Sequence, residues 1–428
     1  MRTGLLIIVL LYFISVQKTY SEDSLSITAN EFKEITGRGI ATSWLKKDKF
    51  KFNYTALKAI KEKGFKNVRI RTNAQVYTGS RIDELEQVVD ACIEEDIIAI
   101  ISWINHNAEE RANETDKVNY VNWWTEVART MKGKSFNLAF NLFTEIGNNP
   151  LRNDINKYND WTRRAVDSIR SIDPQRIIIL SAPAKKSSSL INIASDIYTG
   201  DNYMLAEWHL YASGPNKGGG QKNWEGTGSS SDRANLISVV DIALNFTKNS
   251  GIPTYFGAWM PWDNINNSLS DDETMHFCKF FIETLEIKGI PWSVNALNHF
   301  YDEDQNEWTG PRSFLVDTLV MYYINGKPVT PSDTNTQGTS LTYYSKVNSN
   351  EFLVRPNFVT ENIQIQISDV KFKEEGNLVF YNTVGLVAKT IKLKDNNSVI
   401  RIGDLQPGIY FLILSVNDNI YSQRIIIK

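Results

Sequence analysis

Cysteine and histidine are scarce in this chain, two and four among 428 residues. Cys92 and Cys278 fall in separate helix-like segments, 82–96 and 271–288, which suits two buried thiols rather than a disulfide or a metal pair. So few sulfur and imidazole ligands exclude a structural zinc site of the usual spacing, and no cofactor motif is present. A net charge of −3, with no Lys/Arg stripe interleaved with aromatics, gives no electrostatic case for nucleic acid. Past residue 16 no apolar run is long enough to span a membrane. No glycine-rich loop follows the first β-type run, so the phosphate cradle of nucleotide-binding sheets is missing too. What remains is an ordinary globular composition, 42% apolar and 22% charged, with eleven tryptophans and eighteen tyrosines.

The N-terminus joins Met1-Arg2 to an apolar stretch from Gly4 to Val16 and the small-x-small pattern Thr19-Tyr20-Ser21. That is the form of a secretory signal peptide, residues 1–21. From Gly37 to about Ile324, short β-rich runs alternate with amphipathic helical patterns. The spacing predicts strands at 40–42, 67–72, 97–103, 136–144, 176–180, 203–208, 254–258 and 290–294. Helices are predicted between them at 54–63, 82–95, 117–132, 155–172, 188–194, 232–249 and 271–287, with another at 311–323. Eight alternations whose strands are apolar throughout predict a (β/α)8 TIM barrel over residues 22–326. Residues 327–345 are rich in Pro, Ser, Thr, Asn and Gly and read as a linker. Beyond it, period-two alternation as in Ile363-Gln364-Ile365-Gln366-Ile367 predicts a small antiparallel β-sandwich, residues 346–428. The fold class is therefore α/β, followed by a small all-β appendage.

Active sites of such barrels collect at the C-terminal strand ends. The fourth strand stops on one carboxylate, in Phe140-Asn141-Leu142-Phe143-Thr144-Glu145. Strand two ends in Arg69-Ile70-Arg71, whose arginines share a face, and strand three ends in Trp103-Ile104-Asn105-His106-Asn107. Strand six brings Glu207, His209 and Tyr211 to one face, with Glu207 expected to be buried and kept protonated. Strand seven leads through Ala258-Trp259 to Asp263, and the last strand carries Trp292 and Asn295. Trp103, Trp208, Trp224, Trp259, Trp262 and Trp308 are candidate platforms for stacking sugars. The glycine-rich loop 213–220 is a candidate rim of the cleft.

The order of these motifs resembles glycoside hydrolase family 5, the cellulase and mannanase family. Asn67 to Arg71 looks like its strand-two arginine motif, and His106 matches the second histidine of its tryptophan-histidine-x-histidine segment. The resemblance makes Glu145 the acid/base and matches His209 and Tyr211 to the histidine-x-tyrosine motif. Thr144 stands where the family has the asparagine that contacts the sugar. Gly257-Ala258-Trp259 aligns with glycine-glutamate-phenylalanine, so Ala258 replaces the nucleophile. The tail resembles the C-terminal sorting domain of type IX secretion, carried by Arg355-Pro356-Asn357-Phe358, Tyr381-Asn382-Thr383-Val384-Gly385, Leu405-Gln406-Pro407-Gly408 and the closing Arg424-Ile425-Ile426-Ile427-Lys428. This implies export to the cell surface or beyond, with the secretion machinery as partner; separately, the enzyme is expected to be a monomer.

Several readings of the site follow. In a hydrolase, Glu145 is the acid and another carboxylate, Glu207 or Asp263, or a group of the substrate, replaces the nucleophile. Carboxyls about 5–5.5 Å apart would give retention and about 6.5–9.5 Å inversion. In a polysaccharide lyase, Tyr211 or His209 would take a proton beside a uronate carboxylate neutralised by Arg71, Asn105 and His106. In the last reading the barrel binds glycan without turnover. The expected substrate contacts are Arg71, Asn105, His106, Thr144, Trp259, Asp263, Trp292 and Asn295.

Overall fold

The structure, a computed structural model, describes residues 26–45, 51–73, 81–147, 150–212, 222–262 and 268–321, then 323–324, 327–328, 352–355, 358–359, 361–367, 375–382, 387–406, 408–416 and 419–427. The expected signal peptide, nearly all of the expected linker, the loop 213–220 and Asp263 lie outside the described residues.

Eight parallel strands close into a barrel: β1 (Arg38–Leu45), β2 (Asn67–Asn73), β3 (Ile98–Ile104), β4 (Leu138–Asn141), β5 (Ile177–Ser181), β6 (Met204–Tyr211), β7 (Thr254–Met260) and β8 (Trp292–Val294). β8 pairs with β1 to complete the ring. β3 shows why the strands read as continuous apolar runs: all seven of its residues are buried, one face in the barrel and the other under helices.

The helices are α1 (Ala29–Thr36), α2 (Tyr54–Lys63), α3 (Ile82–Glu94), α4 (His106–Arg111), α5 (Glu114–Thr130), α6 (Ile155–Ile172), α7 (Ser230–Ser250), α8 (Asp271–Ile287) and α9 (Val316–Val320). α6 is typical of the outer ring. Asp154 caps it by accepting from Lys157 N, and Tyr158, Trp161, Ala165 and Ile169 form its buried stripe. Two elements depart from the sequence pattern. The expected helix 188–194 is a pair of 3₁₀ turns, Ser187–Asn192 and Ser195–Ile197. Three consecutive serines compete for backbone hydrogen bonds, and the segment is too short to sustain an α-helix. The expected helix 311–323 shrinks to α9, preceded by a 3₁₀ turn at Ser313–Leu315.

α1 was not anticipated. A capping box, with Thr28 Oγ1 accepting from Glu31 N and Glu31 Oε2 accepting from Thr28 N, starts it. Its Phe32 and Ile35 pack with Ile98, Ala139, Ile177, Leu205 and Tyr255, residues from the beginnings of five strands. The N-terminal mouth of the barrel is thereby plugged.

The appendage has a three-stranded sheet (Phe352–Arg355, Asn362–Ile367, Asn397–Arg401) and a five-stranded one (Phe358–Val359, Asn419–Ile427, Gly408–Val416, Gly376–Asn382, Val387–Leu393). Ile363, Ile365, Leu378, Phe380, Leu412 and Ile425 form their shared core. All pairings are antiparallel except that of the two-residue edge strand Phe358–Val359, which runs parallel to its neighbour. Among the described residues no helix is long and apolar enough to cross a membrane.

Candidate active site

Above the α1 plug the barrel interior becomes polar. Tyr255 Oη donates to Ser293 Oγ at 2.6 Å, and Ser293 donates to Asn67 Oδ1. One level higher sits Glu207, fully buried and saturated. Oε1 accepts from Arg69 Nη2 at 2.5 Å and lies 3.0 Å from His209 Nε2. Oε2 accepts from Asn141 Nδ2 at 2.7 Å and lies 2.8 Å from Ser181 Oγ. Burial would raise the Glu207 pKa, but the Arg69 charge, the field and hydrogen bond of His209, and the Asn141 bond outweigh it and hold the carboxyl below its ordinary value. Two expectations are thus corrected. Glu207 is ionised rather than protonated, and with both oxygens enclosed it is a buried anchor rather than a catalytic group.

Strand seven is shaped around this anchor. Phe256 pairs with Trp208 and Ala258 with His209, leaving Gly257 as an extra, bulged residue. A Cβ on Gly257 would stand 1.6 Å from Glu207 Oε1, so only glycine fits. Ala258, in register with His209, presents a methyl on that same face.

Glu145 lies in the loop after β4, at the C-terminal mouth. Its Oε1 accepts from Lys185 Nζ at 2.8 Å and from Tyr211 Oη at 2.9 Å. Its Oε2 has no hydrogen-bond partner among the described residues, and 21% of the side chain is exposed. Burial pushes its pKa up, while the fields of Lys185 and His209 and the two hydrogen bonds pull it further down, well below the carboxylate range. Tyr211 moves the other way, far above its ordinary value, through burial and the neighbouring Glu145 charge.

Two contributors escaped the sequence reading. Lys185 follows β5 in a turn where Ala184 and Lys185 both take left-handed backbone, φ 61° and 68°. That conformation costs a non-glycine residue about 1–2 kcal/mol, so the surroundings enforce it. His209 N donates to Lys185 O at 2.7 Å, which fixes the turn and aims the ammonium at Glu145. Glu109, fully buried on α4, accepts from Gly147 N at 3.1 Å and lies 3.3 Å from His106 Nδ1. It clamps the loop that carries Glu145 and raises the His106 pKa by that hydrogen bond.

Other expected contacts are displaced. Thr144 is 1% exposed, its hydroxyl 2.8 Å from Ser102 Oγ and its carbonyl accepting from Arg69, so it braces Glu145 from beneath. Asn105 caps α4, its Oδ1 accepting from Ala108 N at 3.0 Å. Trp259 and Trp292 are fully buried against one another and Phe281, on the outward faces of β7 and β8. Trp103, Trp208 and Trp224 are likewise buried and Trp262 is 2% exposed, whereas Trp308 is partly exposed and stacks on Phe65. Strand alternation turns Trp208 away from the face shared by Glu207, His209 and Tyr211. Arg71 lies near the end of β2 and Asn295 directly follows β8, both buried.

The Glu145 carboxylate thus stands at the mouth of an eight-stranded barrel, with a histidine and a tyrosine from β6. Residues 27–300 match the cellulase family, glycosyl hydrolase family 5. The chain belongs to family 5. Curated relatives include Endoglucanase H of Acetivibrio thermocellus, 28% identical over 46% of this chain and 22% of its own length. Endoglucanase A of Clostridium longisporum is 24% identical over 64% of this chain and 58% of its own length. The chain thus spans less than two thirds of the length of the curated relatives it matches. Among solved structures, a hyperthermophilic endo-beta-1,4-glucanase superposes with a TM-score of 0.60 at 18% identity, covering 69% of this chain and 99% of that one. Endoglucanase Cel5A of Thermotoga maritima gives 0.59 at 19%, covering 68% and 100%. Residues 354–428 match the secretion system C-terminal sorting domain, so this family 5 chain carries a tail for type IX export to the surface or the extracellular space.

Proposed function

We propose that the barrel hydrolyses internal glycosidic bonds of an extracellular polysaccharide, with Glu145 as proton donor and no carboxylate nucleophile. The observation that carries this reading is the Glu145 carboxylate itself. It is held at the mouth by Tyr211 and Lys185, with Oε2 left open toward an incoming glycosidic oxygen. The endoglucanase relatives support attack within a glucan-like backbone. Among the described residues Ala258 offers no group to form a glycosyl-enzyme and Glu207 is enclosed, so water attacks the anomeric carbon in a single displacement. Glu145, ionised at rest, reacts through its protonated fraction and gives that proton to the departing oxygen, while the attacking water loses its proton to solvent. Elimination fits less well: the Tyr211 phenol is held protonated and His209 Nε2 is engaged by Glu207. The leader and the tail supply the route out, with the type IX machinery as transient partner.

The test is mass spectrometry of products from a panel of polysaccharides, with Glu145→Gln in parallel. Products carrying added water, formed about 10²–10⁴-fold more slowly by the variant, are expected. Unsaturated products, or a variant as fast as the parent, would overturn the proposal.

A further inference from the structure

Five arginines are buried among the described residues, and four of them pair with a carboxylate at 2.5–3.0 Å: Arg38 with Glu286, Arg69 with Glu207, Arg81 with Glu84 and Arg176 with Asp173. Arg71 is the exception. It is 8% exposed, donates from Nε to Thr42 O at 3.1 Å and from Nη2 to Ser43 Oγ, and its Nη1 has no partner among the described residues. Burial, and then the Arg69 charge, bring its pKa down to about 10, which leaves it cationic at neutral pH. The Glu145 field opposes this charge, but no carboxylate of the described residues touches the guanidinium, and a ligand anion in contact would stabilise it.

Its surroundings are those of an anion site. Thr42, which holds Arg71, lies on β1, and β1 separates β2 from β8. On the far side stands Asn295, 7% exposed, whose side chain makes no hydrogen bond among the described residues. His299, beyond β8, feels both Arg71 and Arg312, and its pKa is lowered by burial and by those two cations. Lys185 at the β5 tip is already paired with Glu145.

We propose that Arg71 and Asn295 form a subsite for a negatively charged sugar, a uronate carboxylate or a sulfate ester, so that the substrate is an acidic polysaccharide. The inference rests on the Glu145 cleavage site described above. The guanidinium fork matches either anion and would hold it beside the scissile bond. The same negative charge would offset the Lys185 field and return Glu145 toward its ordinary pKa as substrate arrives.

The experiment compares the full chain on cello-oligosaccharides, on their 6-carboxylated forms and on their sulfated forms. Cleavage rate and calorimetric binding are both read, for the parent and for Arg71→Met and Arg71→Lys. The expected result is a kcat/KM about 10- to 100-fold higher for one charged series, a preference that collapses in Arg71→Met, survives in part in Arg71→Lys and weakens with salt. The favoured series identifies carboxylate or sulfate. Equal or better cleavage of neutral oligosaccharides, with a ratio unmoved by Arg71→Met, would overturn the subsite and leave the cleavage reading standing. Charged-glycan binding that depends on Arg71, without turnover, would keep the subsite and refute the cleavage reading. If Arg71→Met does not fold, the parent's preference and its salt dependence decide.

Discussion

Replacing Lys185 by methionine removes a charge from Glu145 while keeping the bulk of the stem. The contact is 2.8 Å, and the two side chains are 24% and 21% exposed. Charges about 4 Å apart attract by about 1 kcal/mol in a water-like medium and about 4 kcal/mol at an effective dielectric of about 20, and this half-open pair falls between. At about 1.4 kcal/mol per pH unit, that is a rise of roughly one to three units in the Glu145 pKa. The sign is fixed by the role. A general acid works protonated, so kcat/KM falls as pH climbs through its pKa, and the alkaline limb must move upward in Lys185→Met. Lys185→Arg keeps the charge and the limb. The assay is a pH profile of kcat/KM, with carboxyl carbon NMR of glutamate-labelled protein assigned by Glu145→Gln. Superposed profiles for parent and Lys185→Met, or a limb displaced downward, would refute the reasoning.

Other variants test the surrounding frame. Arg69→Met strips the counter-charge from buried Glu207 and should destabilise the barrel by about 3–5 kcal/mol in urea melts. Because the Glu207 pKa is depressed on folding, its contribution is present above the unfolded value of about 4.3 and lost as pH falls below it, so the Arg69→Met deficit should shrink in acid. Tyr211→Phe removes a hydrogen bond that holds Glu145 ionised, so the alkaline limb of kcat/KM should move upward as in Lys185→Met, with an unchanged melting temperature. Thr28→Ala should cost about 1 kcal/mol, measured by chemical denaturation, through loss of the α1 cap.

The barrel was legible because its signal is periodic and local. α2, α6 and α8 begin and end where the apolar pattern and its flanking residues predict. Glu145 was legible as a carboxylate closing an apolar run. The cage around Glu207 was not, since Arg69, Asn141, Ser181 and His209 come from four strands and meet only when the barrel closes. Lys185 was invisible for another reason: its role depends on a left-handed turn that no pattern announces. The tryptophans misled because residue type does not say which face is wet. Parity with Glu207 and His209 would have turned Trp208 outward, but in β7 the bulge at Gly257 breaks the parity itself.

The fit between Gly257 and Glu207 also constrains what the neighbouring position can accept. On the proposed reading, in which Ala258 stands where family 5 carries its nucleophile, placing a glutamate there takes more than one substitution. Arg69 is already committed to the strand-six carboxylate, and Ala258→Glu would set a second anion beside a buried one. Neither site tolerates change alone: a nucleophile at 258 meets repulsion while Glu207 remains, and removing Glu207 first strands Arg69 in the barrel. Ala258→Glu alone is therefore expected to melt below the parent and to show no double-displacement activity.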